Sequence, residues 1–193
     1  MTGQERRQQL LDIGRRLFAE RGFEGTSIEE IAAQAGVSKP VVYEHFGGKE
    51  GLYAVVVDRE VARLTTVTMA LSEGPYSRSK FEEAAVSLLR YIKDNADGFR
   101  ILVRDSSPGA GGGTYGTLLA DIAGQVEYIM ADFLKSRGRD PKLAPMYSRM
   151  MVGMVAFTGQ WWLDARTPEL EQVAANLIDL AWNGLSQLDA AQA

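Results

Sequence analysis

The fold of this chain is decided by residues 26–49, Thr-Ser-Ile-Glu-Glu-Ile-Ala-Ala-Gln-Ala-Gly-Val-Ser-Lys-Pro-Val-Val-Tyr-Glu-His-Phe-Gly-Gly-Lys. Ser27 and Glu30 have the spacing of a capping box, in which each side chain accepts the other residue's backbone N–H, so they predict a helix start. The apolar residues that follow at helical spacing are Ile28, Ile31, Ala32 and Ala35. They form one stripe, which indicates a short amphipathic helix that ends at Gly36.

A second short helix follows that turn. Ser38 or Lys39 caps it, and Pro40 stands in its first turn, where a missing backbone N–H costs nothing. Val42 and Phe46 are one helical turn apart, so we expect both to point inward while the polar side chains face outward. Two short helices joined by a tight turn, the second presenting polar side chains, have the geometry that fits the DNA major groove.

The rest of the chain has helical periodicity too. A first helix over residues 5–21 ends at Gly22, and a fourth runs from Lys49 to about Leu71. Further helices are predicted over residues 79–95, 98–104, 117–136, 141–164 and 168–187. Strand-like alternation is missing, so the pattern predicts an all-α fold of about nine helices. We expect an N-terminal three-helix helix-turn-helix domain at residues 1–48 and a larger helical domain at residues 49–193.

Composition narrows the class of protein. The chain has 193 residues, is 46% hydrophobic and contains no cysteine, which excludes disulfides and cysteine-based zinc sites. The N-terminus has no secretory signal pattern, and the longest apolar stretch, residues 150–157, is far short of a membrane span. We therefore expect a soluble cytoplasmic protein with no membrane partner.

Charge limits how such a chain can hold DNA. The formal net charge is −4, and residues 1–50 carry seven Lys and Arg against eight Asp and Glu. No domain-wide positive field attracts DNA, so binding must depend on a few well-placed donors.

Few residues of the sequence support a catalytic function or a bound cofactor. His45 is the only histidine, and without a second imidazole or a cysteine it cannot build a metal site or a catalytic set. The glycine-rich segment 109–113 lacks the Gly-Lys-Ser/Thr ending of a phosphate-binding loop and is interpreted as a connector. We predict that the protein is not an enzyme and that it uses no cofactor or metal.

Three motifs within residues 22–53 carry a resemblance to a known family: Gly-Val-Ser, Tyr-x-His-Phe and Lys-Glu-x-Leu. Over about residues 5–60 the chain resembles the DNA-binding domain of TetR-family transcriptional regulators. The resemblance implies a homodimer that binds a palindromic operator, usually as a repressor, and leaves it when a small molecule occupies the C-terminal domain. Glu44 departs from the family pattern, and its carboxylate would repel phosphate or accept from a cytosine amino group.

Candidate DNA contacts follow from the helix geometry. The predicted set is Thr26, Ser38, Lys39, Pro40, Val41, Tyr43, His45 and Lys49. Lys39 can reach a guanine edge or a phosphate, and Pro40 and Val41 can contact a thymine methyl. Tyr43 and His45 can donate to phosphate oxygens, while Thr26 and Lys49 mark helix N-termini that favour a phosphate.

The last two helices predict a second interface. Residues 143–162 are apolar on more than one face, which suggests two neighbours, and residues 168–187 carry an apolar set of their own. Pairing of these helices with their symmetry mates would form a four-helix homodimer interface, although a plain monomeric core would have the same pattern.

The sequence predicts the effector contacts less specifically than the DNA contacts. A largely apolar small molecule is expected, because methionines adapt to varied shapes and aromatic rings stack on flat ligands. The candidates are Phe99, Arg104, Tyr128, Met150, Met154, Phe157 and Trp161. Each of them could equally be ordinary core. The alternative function is a small-molecule sensor or binding protein whose helix-turn-helix has weak or no DNA affinity.

Overall fold

The architecture is all-α, as predicted. The computed structural model describes residues 1–69, 77–105 and 114–186, without the side chains of residues 68–69, 104–105, 114–115 and 185–186. The helices in these ranges are α1 (Gly3–Arg21), α2 (Ile28–Ala35), α3 (Lys39–Phe46), α4 (Lys49–Met69), α5 (Arg78–Asp94), α6 (Ala96–Asp105), α7 (Thr114–Ser136), a 3-10 turn (Pro141–Leu143), α8 (Ala144–Ala165) and α9 (Leu170–Ser186). The nine α-helices of the described ranges confirm the expected fold class and helix count. The predicted end of the fourth helix and the connector at residues 109–113 lie outside them.

The chain packs as two compact units. Unit 1 comprises Met1–Arg63 and the described part of Asn95–Gly113, so it contains α1 to α3, most of α4, and α6. Unit 2 comprises the described parts of Leu64–Asp94 and Thr114–Ala193, which hold α5 and α7 to α9. The functional division between residues 48 and 49 stays a prediction.

Unit 1 has a continuous apolar core. It is built from α1 packed against α2 and α6, with α3 packed on α2. The fully buried side chains are Leu10, Leu17, Phe18, Ile31, Val42, Leu52, Phe99, Ile101 and Leu102. Each large side chain of this kind contributes about 1.5–3 kcal/mol by leaving water. Phe46 was expected in this core but is only half-buried, because it is the last residue of α3. Its ring lies 4.2 Å from the guanidinium group of Arg7.

A left-handed turn at Gly36 orients α3 relative to α2. Gly36 has φ +64° and ψ +36°, a conformation that a Cβ atom disfavours, and its N–H donates to the carbonyls of Ala32 and Ala33. The N–H of Val37 returns to the carbonyl of Ala32 at 3.0 Å. The last carbonyls of α2 are therefore satisfied inside the turn, and the chain reverses within three residues.

The helix caps differ in part from the sequence prediction. Ser27 Oγ accepts from the Glu30 N–H at 3.2 Å, as expected. The predicted second bond of that capping box, from the Ser27 N–H to the Glu30 carboxylate, is wrong, because this carboxylate pairs with Arg21 at 2.6 Å instead. A complete capping box stands at the start of α1, where Thr2 and Glu5 bond each other's backbone N–H groups at 3.2 and 2.6 Å. Because α1 was expected to begin near residue 5, the sequence reading missed it.

A buried carboxylate lies where three helices of unit 1 meet. Glu60 of α4 is only 1% exposed, and its Oε1 lies 2.9 Å from Nε of Arg15 in α1 and 2.7 Å from Nη1 of Arg63. Gly98 of α6 lies against this carboxylate, and a Cβ there would overlap Glu60 Oε2. A buried carboxylate is costly without partners, so the two arginines keep Glu60 in place and glycine lets α6 approach it.

Unit 2 is held by contacts of α7 with α8 and of α5 with α8 and α9. Its buried side chains include Leu89, Ile92, Met130, Leu134, Met151, Val155, Leu177 and Ile178. Gly159 of α8 gives room to the Cδ1 of Ile92, and the indole N–H of Trp162 donates to the Pro168 carbonyl at 2.8 Å. The α8–α9 connection is thus bound to the side of α8 that faces the core.

The two helix-capping serines should differ in their contribution to stability. Ser27→Ala removes the bond to the Glu30 N–H, and we expect it to lower the free energy of unfolding by about 1 kcal/mol. Ser38→Ala is the matched control, since Ser38 caps α3 without a side-chain bond and its loss should change little. Urea denaturation followed by circular dichroism measures both. Equal losses for the two variants would contradict the assignment.

Candidate nucleic-acid interface

Helix α3 has one buried position and a broad exposed face. Val42 is completely buried and fixes the rotation of the helix against unit 1. Lys39, Pro40 and Tyr43 are exposed, and the Tyr43 ring is 53% accessible although it is large and partly apolar. Val41 and His45 are half-buried at the edges of this face. Five of the predicted DNA contacts, Lys39, Pro40, Val41, Tyr43 and His45, therefore fall within two turns of a single helix.

Lys39 is already paired within the chain. Its Nζ forms an ion pair and a hydrogen bond with Oε1 of Glu29, in the first turn of α2. The hydrogen bond from Lys39, supported by the charge of the ammonium group, holds the pKa of the Glu29 carboxyl below its ordinary value. Because both side chains are exposed, water and salt screen the pair, and DNA can compete for the lysine.

Thr26 has its polar groups turned inward. The residue is 2% exposed, its hydroxyl donates to the Gly22 carbonyl at 2.9 Å, and its N–H donates to the Phe23 carbonyl at 3.3 Å. A phosphate bound by Thr26 would have to replace one of these bonds. The structure therefore gives this threonine a role in closing the α1–α2 connection.

Lys49 and Ser38 stand at helix N-termini with different surroundings. The Nζ of Lys49 donates to the Phe23 carbonyl at 3.0 Å and lies 4.2 Å from the centre of the Phe23 ring. This lysine thus fastens the start of α4 to the α1–α2 connection. Ser38 is exposed, and its hydroxyl forms no hydrogen bond with the N-terminal turn of α3.

The arginines of unit 1 are also engaged inside the chain. Arg7 donates to the His45 carbonyl and covers the Phe46 ring, which supports the C-terminal end of α3 from α1. Arg16 donates to Gln34 at 2.6 Å, and Arg59 donates to Gln8 at 2.8 Å. Sequence reasoning missed the role of Arg7, because 38 residues separate it from His45 and no local pattern links them.

The seven candidate effector residues are divided between the two packing units. Phe99 is completely buried in the core of unit 1, whereas Tyr128, Met150, Met154, Phe157 and Trp161 belong to unit 2. The side chain of Arg104 lies outside the described residues. Met154 is half-buried, and the other four of unit 2 are exposed.

The outer side of α8 is an apolar face. Met146, Met150, Phe157 and Trp161 follow one another at spacings of four, seven and four residues, which places them on one stripe of the helix. All four are exposed, and Phe157 is 72% accessible. Gly153 lies within the same stripe with open space around its Cα, and Leu180 adds an exposed apolar side chain on α9. Exposed aromatic and methionine side chains in one row indicate a surface that a partner covers.

Among the described residues, no group of three or more histidine or acidic side chains is placed to hold a metal ion. No helix of the described ranges is both long and apolar enough to cross a membrane.

Comparison with known proteins agrees with this geometry. The model of "Bacterial regulatory proteins, tetR family" matches residues 10–56, and the "Tetracyclin repressor-like, C-terminal domain" matches residues 67–193. The transcriptional activator FasR of Mycolicibacterium smegmatis is 30% identical over 190 residues, which cover 95% of this chain and 84% of FasR.

Two more relatives complete the comparison. The transcriptional repressor AcnR of Corynebacterium glutamicum is 36% identical over 61 residues, which cover 32% of each chain. The crystal structure of a TetR-like transcriptional regulator from Rhodococcus sp. RHA1 superposes with a TM-score of 0.75 at 26% identity, covering 94% of this chain and 96% of that one. Both halves of the chain match, in sequence and in fold, a family of DNA-binding regulators rather than enzymes. The chain belongs to the TetR family of bacterial transcriptional regulators.

Proposed function

We propose that the chain is a homodimeric repressor that binds a palindromic operator through α3 and leaves it when a small-molecule effector binds unit 2. The observation that carries the proposal is the exposed face of α3, held in place by the buried Val42 and by the turn at Gly36. In related geometries the N-terminal residues of such a helix reach base edges in the major groove.

Specific contacts can be assigned on this face. Lys39 reaches a guanine edge or a phosphate once it leaves Glu29, and Pro40 with Val41 supplies apolar contact for a thymine methyl. The hydroxyl of Tyr43 donates to a phosphate oxygen. Ser38 adds a free hydroxyl and the N-terminus of α3. Thr26 and Lys49 act mainly by holding the α1–α2 connection, because the Thr26 hydroxyl and one N–H of the Lys49 ammonium group are used there.

Dimerisation is assigned to α8 and α9. The exposed stripe on α8 is too apolar to stay in water at no cost, and a second copy offers the same stripe across a two-fold axis. Gly153 lets the helices approach closely. A dimer also doubles the DNA contacts, which this chain requires because its net charge is −4.

An effector acts only through a difference in its affinity for two states of the dimer. Met154 is the candidate that combines a flexible apolar side chain with partial burial, so it can line a site that opens within unit 2. A largely apolar effector suits such a lining.

Activation is the second candidate function. FasR, the relative whose similarity extends over 95% of this chain, is named a transcriptional activator. In vitro transcription from a promoter that carries the operator separates the two: added protein lowers transcript under the proposal, whereas a rise would establish activation. A sensor without DNA affinity is a third alternative, and the acidic balance of the chain favours it.

Operator binding should depend on the outer face of α3. We expect Lys39→Ala and Tyr43→Ala each to weaken binding to the chain's own upstream region by roughly tenfold or more, since a good base contact contributes about 1–3 kcal/mol. Lys135→Ala, an exposed lysine of α7, is the control that removes the same charge and should bind like wild type. Gel-shift titration measures the affinities. Unchanged binding by both α3 variants would refute the proposed interface.

Dimer formation should depend on the α8 stripe. Phe157→Glu places a charge in the centre of this face, and we expect sedimentation equilibrium to give the monomer mass of 21.2 kDa where wild type gives roughly twice that. Ala54→Glu, at an exposed position of α4, is the control and should remain dimeric. A dimeric Phe157→Glu variant would place the interface elsewhere.

A further inference from the structure

Two neighbouring arginines of α1 bind the C-terminal ends of the two helices of the helix-turn-helix. The Nη1 of Arg6 donates to the carbonyl of Ala35, the last residue of α2, at 3.2 Å. The Nη1 of Arg7 donates to the carbonyl of His45, in the last turn of α3. Carbonyls of a last helical turn have no partner further along their own helix, and the negative end of the helix dipole favours a cation there. Helix α1 therefore caps both helices through adjacent side chains.

The end of α2 has other attachments besides Arg6. The N–H groups of Gly36 and Val37 return to carbonyls of α2, and Nε2 of Gln9 lies 3.5 Å from the Ala35 carbonyl. Half of the eight residues of α2 are also buried. Loss of Arg6 should therefore leave α2 in place.

The end of α3 depends more strongly on its arginine. Of the eight residues of α3, all of which the structure describes, Val42 alone is buried. One buried side chain holds a short helix at one point and constrains its tilt weakly. Arg7 adds a second point, because its guanidinium group donates to the His45 carbonyl and also lies 4.2 Å from the centre of the Phe46 ring. Tyr43 lies between these two points of attachment.

We propose that Arg7 is a positioning residue for operator binding: without contacting DNA, it holds the C-terminal half of α3 at the tilt that lets the Tyr43 hydroxyl reach a phosphate oxygen. This role rests on the proposed function of α3 as the recognition helix. The Tyr43 ring is 53% exposed, so its position follows the backbone of α3 more than its packing. Hydrogen bonds weaken steeply with distance and angle, so a small change of tilt is enough to weaken the phosphate contact.

Direct contact with a phosphate is the competing role for an arginine this close to α3. Salt dependence separates the two roles, because each contact between a basic side chain and a phosphate adds about 0.9 to the log–log slope of affinity against salt, or about 1.8 for a dimer. A positioning residue changes the affinity, whereas the slope stays equal to that of a control variant that lacks the same charge.

The test measures binding to a duplex from the chain's own upstream region, by fluorescence anisotropy at several salt concentrations. The variants are Arg7→Met, Arg6→Met, Tyr43→Phe and the double variant Arg7→Met/Tyr43→Phe. Methionine keeps a long apolar side chain and removes the charge and the donors. Arg6→Met is the matched control, because it removes the same charge from the adjacent residue, whose helix has other attachments. Circular dichroism melting establishes that each variant is folded at the assay temperature.

We expect Arg7→Met to weaken binding by roughly 10- to 100-fold, since each protomer of the dimer loses much of a hydrogen bond to a charged group. Arg6→Met should stay within about threefold of wild type, and the two variants should have the same salt slope. Because Arg7 acts through Tyr43, its loss should change the affinity by no more than about threefold in the Tyr43→Phe background.

Arg7→Lys gives a second measurement at constant charge, and it decides the question if Arg7→Met melts below the assay temperature. Lysine keeps the cation that a phosphate would bind, but it lacks the planar group that reaches the His45 carbonyl and the Phe46 ring together. We therefore expect Arg7→Lys to bind the duplex more weakly than wild type by about threefold or more.

Four results would overturn this role of Arg7 while leaving the proposed function intact. They are a salt slope for Arg7→Met that is about 1.8 smaller than that of Arg6→Met, additive effects of Arg7→Met and Tyr43→Phe, wild-type affinity for Arg7→Lys, and wild-type affinity for Tyr43→Phe. A wild-type chain that binds neither its upstream region nor any other duplex would overturn the proposed function as well.

Discussion

The left-handed turn at Gly36 is the constraint on which the DNA-binding face depends. Its φ of +64° allows the chain to reverse within three residues after α2, and Val42 can then enter the core of unit 1. Burial of that one valine sets the rotation of α3 about its axis. The rotation in turn exposes Lys39, Pro40 and Tyr43 together. A side chain with a Cβ at residue 36 would strain the turn and disturb all of these positions at once.

The basic side chains of unit 1 also serve as structural contacts. Arg7 supports the end of α3, Lys49 fastens the start of α4, and Lys39 pairs with Glu29. Each cation therefore has an internal partner that DNA must replace or accommodate. A chain with net charge −4 and engaged cations has little long-range attraction for DNA, so its affinity must come from short-range fit and from two copies acting together.

Under the proposed function, unit 2 provides the surface through which two copies associate. Its inner contacts are satisfied by α5, α7, α8 and α9, while the Phe157 stripe of α8 remains in water. The same helix thus has a buried side that holds the unit together and an exposed apolar side, to which we assign the proposed dimer interface. In unit 1, the buried Glu60 of α4 forms ion pairs with Arg15 of α1 and with Arg63, and Gly98 lets α6 pack against the same carboxylate. That arrangement makes unit 1 a larger body than the three N-terminal helices alone.

Many features of the fold could be predicted from the sequence because they depend on interactions between neighbouring residues. The helix count, the glycine turn, the exposed face of α3 and the double apolar face of α8 all follow from side-chain spacing and backbone preference, which act between residues close in the chain. The tertiary structure alone decided which polar groups are already used. The Thr26 hydroxyl donates to a carbonyl inside the chain, Glu30 forms an ion pair with Arg21 and not the second bond of a capping box, and Lys39 forms an ion pair with Glu29. These outcomes depend on contacts between different helices, and side chains distant in sequence compete for the same partner only after the helices have packed.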